Sequence, residues 1–245
     1  MKTNRFAATV VRNERRSPSF RVLGGFACAM ITALVAGTAS ASAPANDTVP
    51  TLTTAQLQTL TRFSLKFNPK FEQCVAEYPN DPTRPPTVDV AVLRGSQNDV
   101  LGLLGQNIKP NLKFDMFTIE KDPFNADGSA NAAFTNFGFA WYQSDLEANS
   151  KGVMKGVIKT IVLDQIFGFD PVTPVGPTNT FEVGFWFNDP NDAAACGFDV
   201  TKPTPFNGEH KAGPLAAISL PDATTGLGPL CTNPDTSVSP ARCNP

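Results

Sequence analysis

Between Thr87 and Leu220 short apolar runs recur with a period of two, separated by Gly, Pro, Asn and Asp, and no helical pattern is interleaved with them. Side chains alternate across a strand, whereas a helix presents the same face every 3.6 residues, so this spacing restricts the chain to packed sheets. Thr87 to Leu93 sets the pattern, with Val88, Val90 and Val92 on one face. Val100 to Leu104, Leu112 to Glu120, Phe134 to Gln143, Val153 to Leu163, Thr178 to Phe187 and Pro214 to Leu220 continue it. Interleaved helices would argue for a parallel sheet. Their absence predicts an all-β fold, mainly an antiparallel β-sandwich of seven strands with Ig-like or jelly-roll wiring. In the third run Phe114, Met116 and Thr118 fall on one side and Phe117 and Ile119 on the other, so both faces of that strand are expected to be covered.

Upstream of Pro86 the pattern differs. Leu57, Leu60, Phe63 and Phe67 have helical spacing after Thr53 and Thr54, either of which can cap, and predict one short helix. Pro79, Pro82, Pro85 and Pro86 then force a loop over Tyr78 to Pro86. Residues 42–86 are read as a leader holding the helix and this loop, 87–220 as the β domain, and 221–245 as a tail.

Residues 1–41 read as a signal peptide. Arg5, Arg12, Arg15, Arg16 and Arg21 precede an apolar run from Val22 to Ala36, and Ala39-Ser40-Ala41 offers a cleavage site before Ser42. That run is shorter than the roughly 20 residues a membrane-crossing helix needs, so no span is expected after processing. The protein is expected to be secreted or periplasmic. Removing the segment leaves 14 basic against 21 acidic side chains, a net charge of −7. The basic residues are scattered singly, which excludes nucleic acid as an expected partner.

Cys74, Cys196, Cys231 and Cys243 remain, an even number in an exported chain, and predict two disulfides. Cys231 and Cys243 close a short loop rich in Pro, Thr and Ser, which leaves Cys74 for Cys196. A thiolate metal site is disfavoured, because neither CxxC spacing nor supporting histidines exist.

His210 is the only histidine, which rules out a site with two or more histidine ligands. It follows Glu209 in a Gly-bearing loop, and no GxSxG elbow exists to supply a nucleophile. The stretch Cys196 to Pro214 resembles in composition the zinc-ligand loop of copper-zinc superoxide dismutases. Those enzymes need several histidines around two metals, and neither ligands nor activity carry across to His210 alone. Three acidic turns have the oxygen ligands a hard cation takes: Asp122 with Asn125 and Asp127, Asp145 with Glu147 and Asn149, and Asn188 with Asp189, Asn191 and Asp192. None matches an EF-hand, and Asp and Asn are ordinary turn residues. Asp145, Glu147 and Asn149 form the best calcium candidate of the three, and no other cofactor is expected.

Trp141, Tyr142 and Trp186 suit a carbohydrate partner, since sugar rings stack on exposed aromatic faces beside carboxylates such as Asp145 and Glu147. Glu209 and His210 complete the set of candidate ligand-binding residues. By elimination, the sequence favours a secreted or periplasmic, non-catalytic binding or structural protein with a carbohydrate or protein partner at the cell exterior. The rivals are a hydrolase using His210 or a carboxylate pair, and a calcium-dependent adhesion module.

Overall fold

A computed structural model describes residues 53–173, 176–202, 204 and 212–244. The expected signal peptide lies outside the described residues, as do Glu209 and His210. Helix α1 (Thr54–Gln58) opens on a capping box: Gln56 N–H donates to Thr53 Oγ1 at 3.3 Å, and Thr53 N–H donates to Gln56 Oε1 at 3.0 Å. It ends sooner than the helical spacing predicts. Phe63 and Phe67 belong instead to strand β1 (Thr61–Phe67), because Thr61 to Phe67 also alternates with period two and pairs on both sides, with β2 (Thr87–Leu93) and with β8 (Leu215–Ser219). Pairing with two neighbours outweighs a local helical spacing.

After the four-residue helix α2 (Glu72–Val75), the chain runs through β2, β3 (Asp99–Gln106), β4 (Lys113–Ile119), β5 (Ala140–Glu147), β6 (Met154–Thr160), β7 (Glu182–Phe187) and β8. The eight strands form one continuous antiparallel sheet in the order β5-β4-β7-β8-β1-β2-β3-β6. The all-β class is therefore as expected, but one nearly closed sheet stands where two stacked sheets were predicted. A bulge sits where the two edge strands approach. Met116 pairs with Ser144 and Phe117 with Tyr142, which leaves Gln143 unmatched on β5. Its side-chain amide donates to Thr118 Oγ1 at 3.1 Å and its carbonyl accepts from Thr160 Oγ1 at 2.8 Å, joining edge strand β5 to edge strand β6.

The alternating residues fill the interior: Val88, Val90 and Val92 meet Leu101, Leu103, Phe114, Met116, Phe185 and Phe187 in one buried cluster. A second, outer cluster joins Phe117, Ile119, Trp186, Leu215 and Ile218. The connection from Glu120 to Phe139 lies over it, with Phe124 and Phe137 packed in. Phe137, expected in a strand, thus serves as cover for the outside of β4 and β7, with Phe134 packed edge-on against it, and β5 starts six residues later than expected at Ala140. Both faces of β7 are buried along its whole length. Gly184 shows how tightly: a Cβ there would stand 2.4 Å from Ile119 Cδ1 and 2.9 Å from the Trp186 ring.

The registers Leu93 with Val100, Asp99 with Thr160, and Ile119 with both Ala140 and Glu182 collect four segments at one end of the sheet. These are residues 94–98, 120–139, 161–173 with 176–181, and 220–244. Both expected disulfides are present. Cys74–Cys196 ties α2 to the 3₁₀ segment Pro190–Cys196 at the opposite end, and Cys231–Cys243 closes a tail that holds the small hairpin of β9 (Pro234–Asp235) and β10 (Arg242–Cys243). Among the described residues, no helix is long and apolar enough to cross a membrane.

Candidate functional site

The aromatic residues singled out by sequence separate into two populations. Trp186 is fully buried, its ring 5.4 Å from Phe117 and 5.0 Å from Phe137 at steep angles. Because β7 is covered on both faces, it presents no ring surface to a ligand. Trp141 and Tyr142 are 42% and 50% exposed. Trp141 lies beside Phe139, itself 40% exposed, with ring centroids 6.2 Å apart and only 13° between the planes. Two nearly parallel exposed rings form an apolar platform wider than either alone.

The platform is held from below by a carboxylate. Phe139 N–H donates to Glu120 Oε2 at 2.9 Å, and Gly138, at φ 68°, makes the turn that brings the backbone over this side chain. A Cβ at Gly138 would fall 2.2 Å from Glu120 Oε2, so any other residue there would strain the backbone and push the Glu120 carboxylate off the Phe139 N–H. On the other face of β5, Tyr142 Oη donates to Asp145 Oδ1 at 2.9 Å and its ring meets Phe117 edge-on.

Asp145, Glu147 and Asn149 already have protein partners. Asp145 accepts from Tyr142, Glu147 faces Lys113 Nζ at 3.7 Å, and Asn149 Oδ1 accepts the N–H groups of Lys151 and Val153, as an Asx turn does. Among the described residues, no group of three or more His, Cys, Asp or Glu side chains could hold a metal ion. The other two acidic turns are likewise engaged: Asp127 Oδ1 accepts from Ser129 N–H, and Asp189 caps the 3₁₀ segment through Asn191 N–H.

The most distinctive chemistry surrounds the acidic turn of Asp122, Asn125 and Asp127, joined there by Glu182, which the sequence did not single out. A cleft of about 1200 Å³ opens at the end of the sheet between the β4–β5 connection, the start of β7 and the tail. Two of its carboxyl groups are buried. Glu182 is 3% exposed and accepts a hydrogen bond from Ser219 Oγ. Asp122 is 8% exposed; its Oδ1 accepts from Phe124 N–H at 2.6 Å, while its Oδ2 is buried without a hydrogen-bond partner. Burial pushes the Asp122 carboxyl up to about 7 against the pull of the Phe124 N–H. Burial also raises Glu182, to about 8, with the Ser219 hydrogen bond opposing and the charge of Asp122 adding to the rise. The sequence does hold a signal for Glu182, since it is the one charged residue between Phe181 and Phe187. Asp122 reads in sequence as part of an acidic turn, a cation candidate with Asn125 and Asp127, and its burial is not legible there because nothing local reports that the chain after Leu220 returns beside it. No protein-family model, curated protein or solved structure matches the chain.

Proposed function

We propose that the chain is an exported, non-catalytic binding protein of the cell exterior, secreted or periplasmic, that holds a carbohydrate on the face formed by Phe139 and Trp141. The observation that carries this reading is the near-parallel, two-fifths exposed pair of rings anchored through Glu120. Sugars present apolar C–H faces that pack on such rings, and neighbouring carboxylates accept from their hydroxyls. Glu120, which accepts the Phe139 N–H, supplies a carboxylate of that kind. Two disulfides, one of them closing the tail, support an oxidising compartment.

The test is calorimetric titration with neutral oligosaccharides against the native protein, Trp141→Ala and Tyr142→Ala. A stacking ring is worth up to about 1.5 kcal/mol, so Trp141→Ala should weaken binding roughly tenfold. Equal binding by native protein and Trp141→Ala, or no binding to any neutral glycan, overturns the reading.

A further inference from the structure

A buried carboxylate oxygen without a donor is costly unless something supplies one. Asp122 Oδ2 is such an atom, on a side chain that lines the open cleft together with Glu182, and nothing in the carbohydrate reading uses either group. The charged groups around them are unbalanced. Glu120, Asp127 and Asp222 line the same cleft, against the two cations Lys121 and Arg242, and Arg242 is engaged by Asp235 at 3.2 Å. Asp127 and Asp222 turn one oxygen each toward backbone N–H groups of their own turns, and Glu120 holds Phe139. The remaining walls are mixed: Phe124, Phe134, Phe181 and Leu227 supply apolar surface, and Asn125, Asn131, Thr135 and Asn179 stand among them.

We propose that this cleft binds a primary amine with an apolar body, its ammonium group held by Asp122 and Glu182 and its body packed on the phenylalanines. An ammonium carries three donors and no acceptor, which matches a carboxylate oxygen lacking a partner and an excess of acids around it. An organic cation suits the site better than a metal ion. Divalent metals take several converging ligands, and among the described residues no group of three or more His, Cys, Asp or Glu side chains could hold one. The aromatic walls add attraction for a cation and shelter for an alkyl or aryl chain.

Binding couples to protonation with a fixed sign. The carboxyls attract an ammonium only when ionised, and burial holds both protonated toward neutral pH. Affinity therefore rises with pH, at least about tenfold between about pH 6 and about pH 8.5, as Asp122 and then Glu182 give up their protons. The cleft should release protons as the amine enters.

The experiment is isothermal titration of the full chain with phenethylamine, with phenethyl alcohol as the neutral isostere, at several pH values and in buffers of different ionisation enthalpy. The amine should bind at least tenfold more tightly than the alcohol, with proton release. Asp122→Asn should lose about tenfold in affinity and flatten the pH dependence, and Glu182→Gln serves as the second variant. Both replacements keep shape and remove only a buried charge, so thermal melts check that each folds. Equal binding of amine and alcohol, affinity that is flat or falls with pH, or unchanged binding by both variants overturns the proposal. Calcium raising the melting temperature and displacing the amine overturns it in favour of a cation site.

Discussion

Ser219 on β8 and Glu182 on β7 share one hydroxyl between two needs: Ser219 Oγ donates to Glu182 Oε2 and accepts the Val183 N–H at 2.9 Å. The serine thereby satisfies a backbone donor at the end of a buried strand and one oxygen of a buried acid. It does not neutralise that acid. Glu182 stays raised because no cation compensates its burial, and Asp122 shares its cleft in the same condition.

From this follows a pH dependence opposite to that of an ion-paired carboxylate. Each group holds its proton more tightly folded than unfolded, so its contribution is fully present below about pH 4 and is lost as pH rises through about 7 for Asp122 and about 8 for Glu182. Each tenfold difference in proton affinity between the folded and unfolded chains is worth about 1.4 kcal/mol. The turn acids Asp81, Asp127 and Asp235, held low by their own hydrogen bonds, act only in more acid solution. Melting temperature should therefore be several degrees higher at pH 5.5 than at pH 8.5. Asp122→Asn and Glu182→Gln should each raise the alkaline value and flatten the slope; a slope unchanged in both variants contradicts the assignment.

Asp99 is a buried acid of another kind. Its Oδ2 accepts from Val162 N–H at 3.2 Å and Leu163 N–H at 2.8 Å, and its Oδ1 from Gly95 N–H at 3.3 Å, pinning the chain after β6 to the β2–β3 turn. Asp99→Ala strands those donors and should cost about 2–4 kcal/mol in urea unfolding, while Asp99→Asn keeps an acceptor and should cost less. Amide exchange at Val162 and Leu163 should quicken in the alanine variant. Unaltered exchange there would mean the carboxylate does not hold this junction.

The strands were legible where one face is buried and the other wet, as Thr87 to Leu93 shows, because alternation is then a direct print of the fold. Both disulfides were legible because loop length and elimination left one pairing. Strand β1 was hidden, since Leu57, Leu60, Phe63 and Phe67 satisfy a helical spacing while β1 itself satisfies a strand's, and only its partners β2 and β8 decide. The closure through Gln143 was hidden for a similar reason: a bulge is defined by register with β4 and leaves little trace in one strand's own pattern. The cleft depends on the tail returning beside the β4–β5 connection, a long-range fact that no local window contains.

The two disulfides should differ in worth. In the chain-entropy picture, closing 122 residues between Cys74 and Cys196 stabilises by about 5 kcal/mol, and closing 12 between Cys231 and Cys243 by about 3. Serine pairs at each bridge, compared by guanidinium unfolding, should rank in that order. Loss of Cys231–Cys243 should also loosen the tail that walls the cleft, so amine affinity should fall in that variant and hold in the other. The reverse ranking of stabilities would show that the short loop is held by more than its crosslink.

The two tryptophans separate structure from recognition. Trp186 is fully buried among Phe117, Phe137 and Ile119, so Trp186→Ala opens a cavity in the outer cluster and should cost about 3–5 kcal/mol. Its loss should also loosen the β4–β5 connection that Phe137 fastens over it, weakening the platform and the cleft together. Trp141 has 42% of its surface in water and stacks mainly on Phe139. Trp141→Ala should cost under about 1 kcal/mol in unfolding while removing most glycan affinity. Fluorescence reads the same contrast in the native protein: acrylamide should quench Trp141 and spare Trp186, and a bound oligosaccharide should protect only the quenchable population. Trp141→Ala as destabilising as Trp186→Ala would make that ring part of the core and remove the ground for a sugar platform.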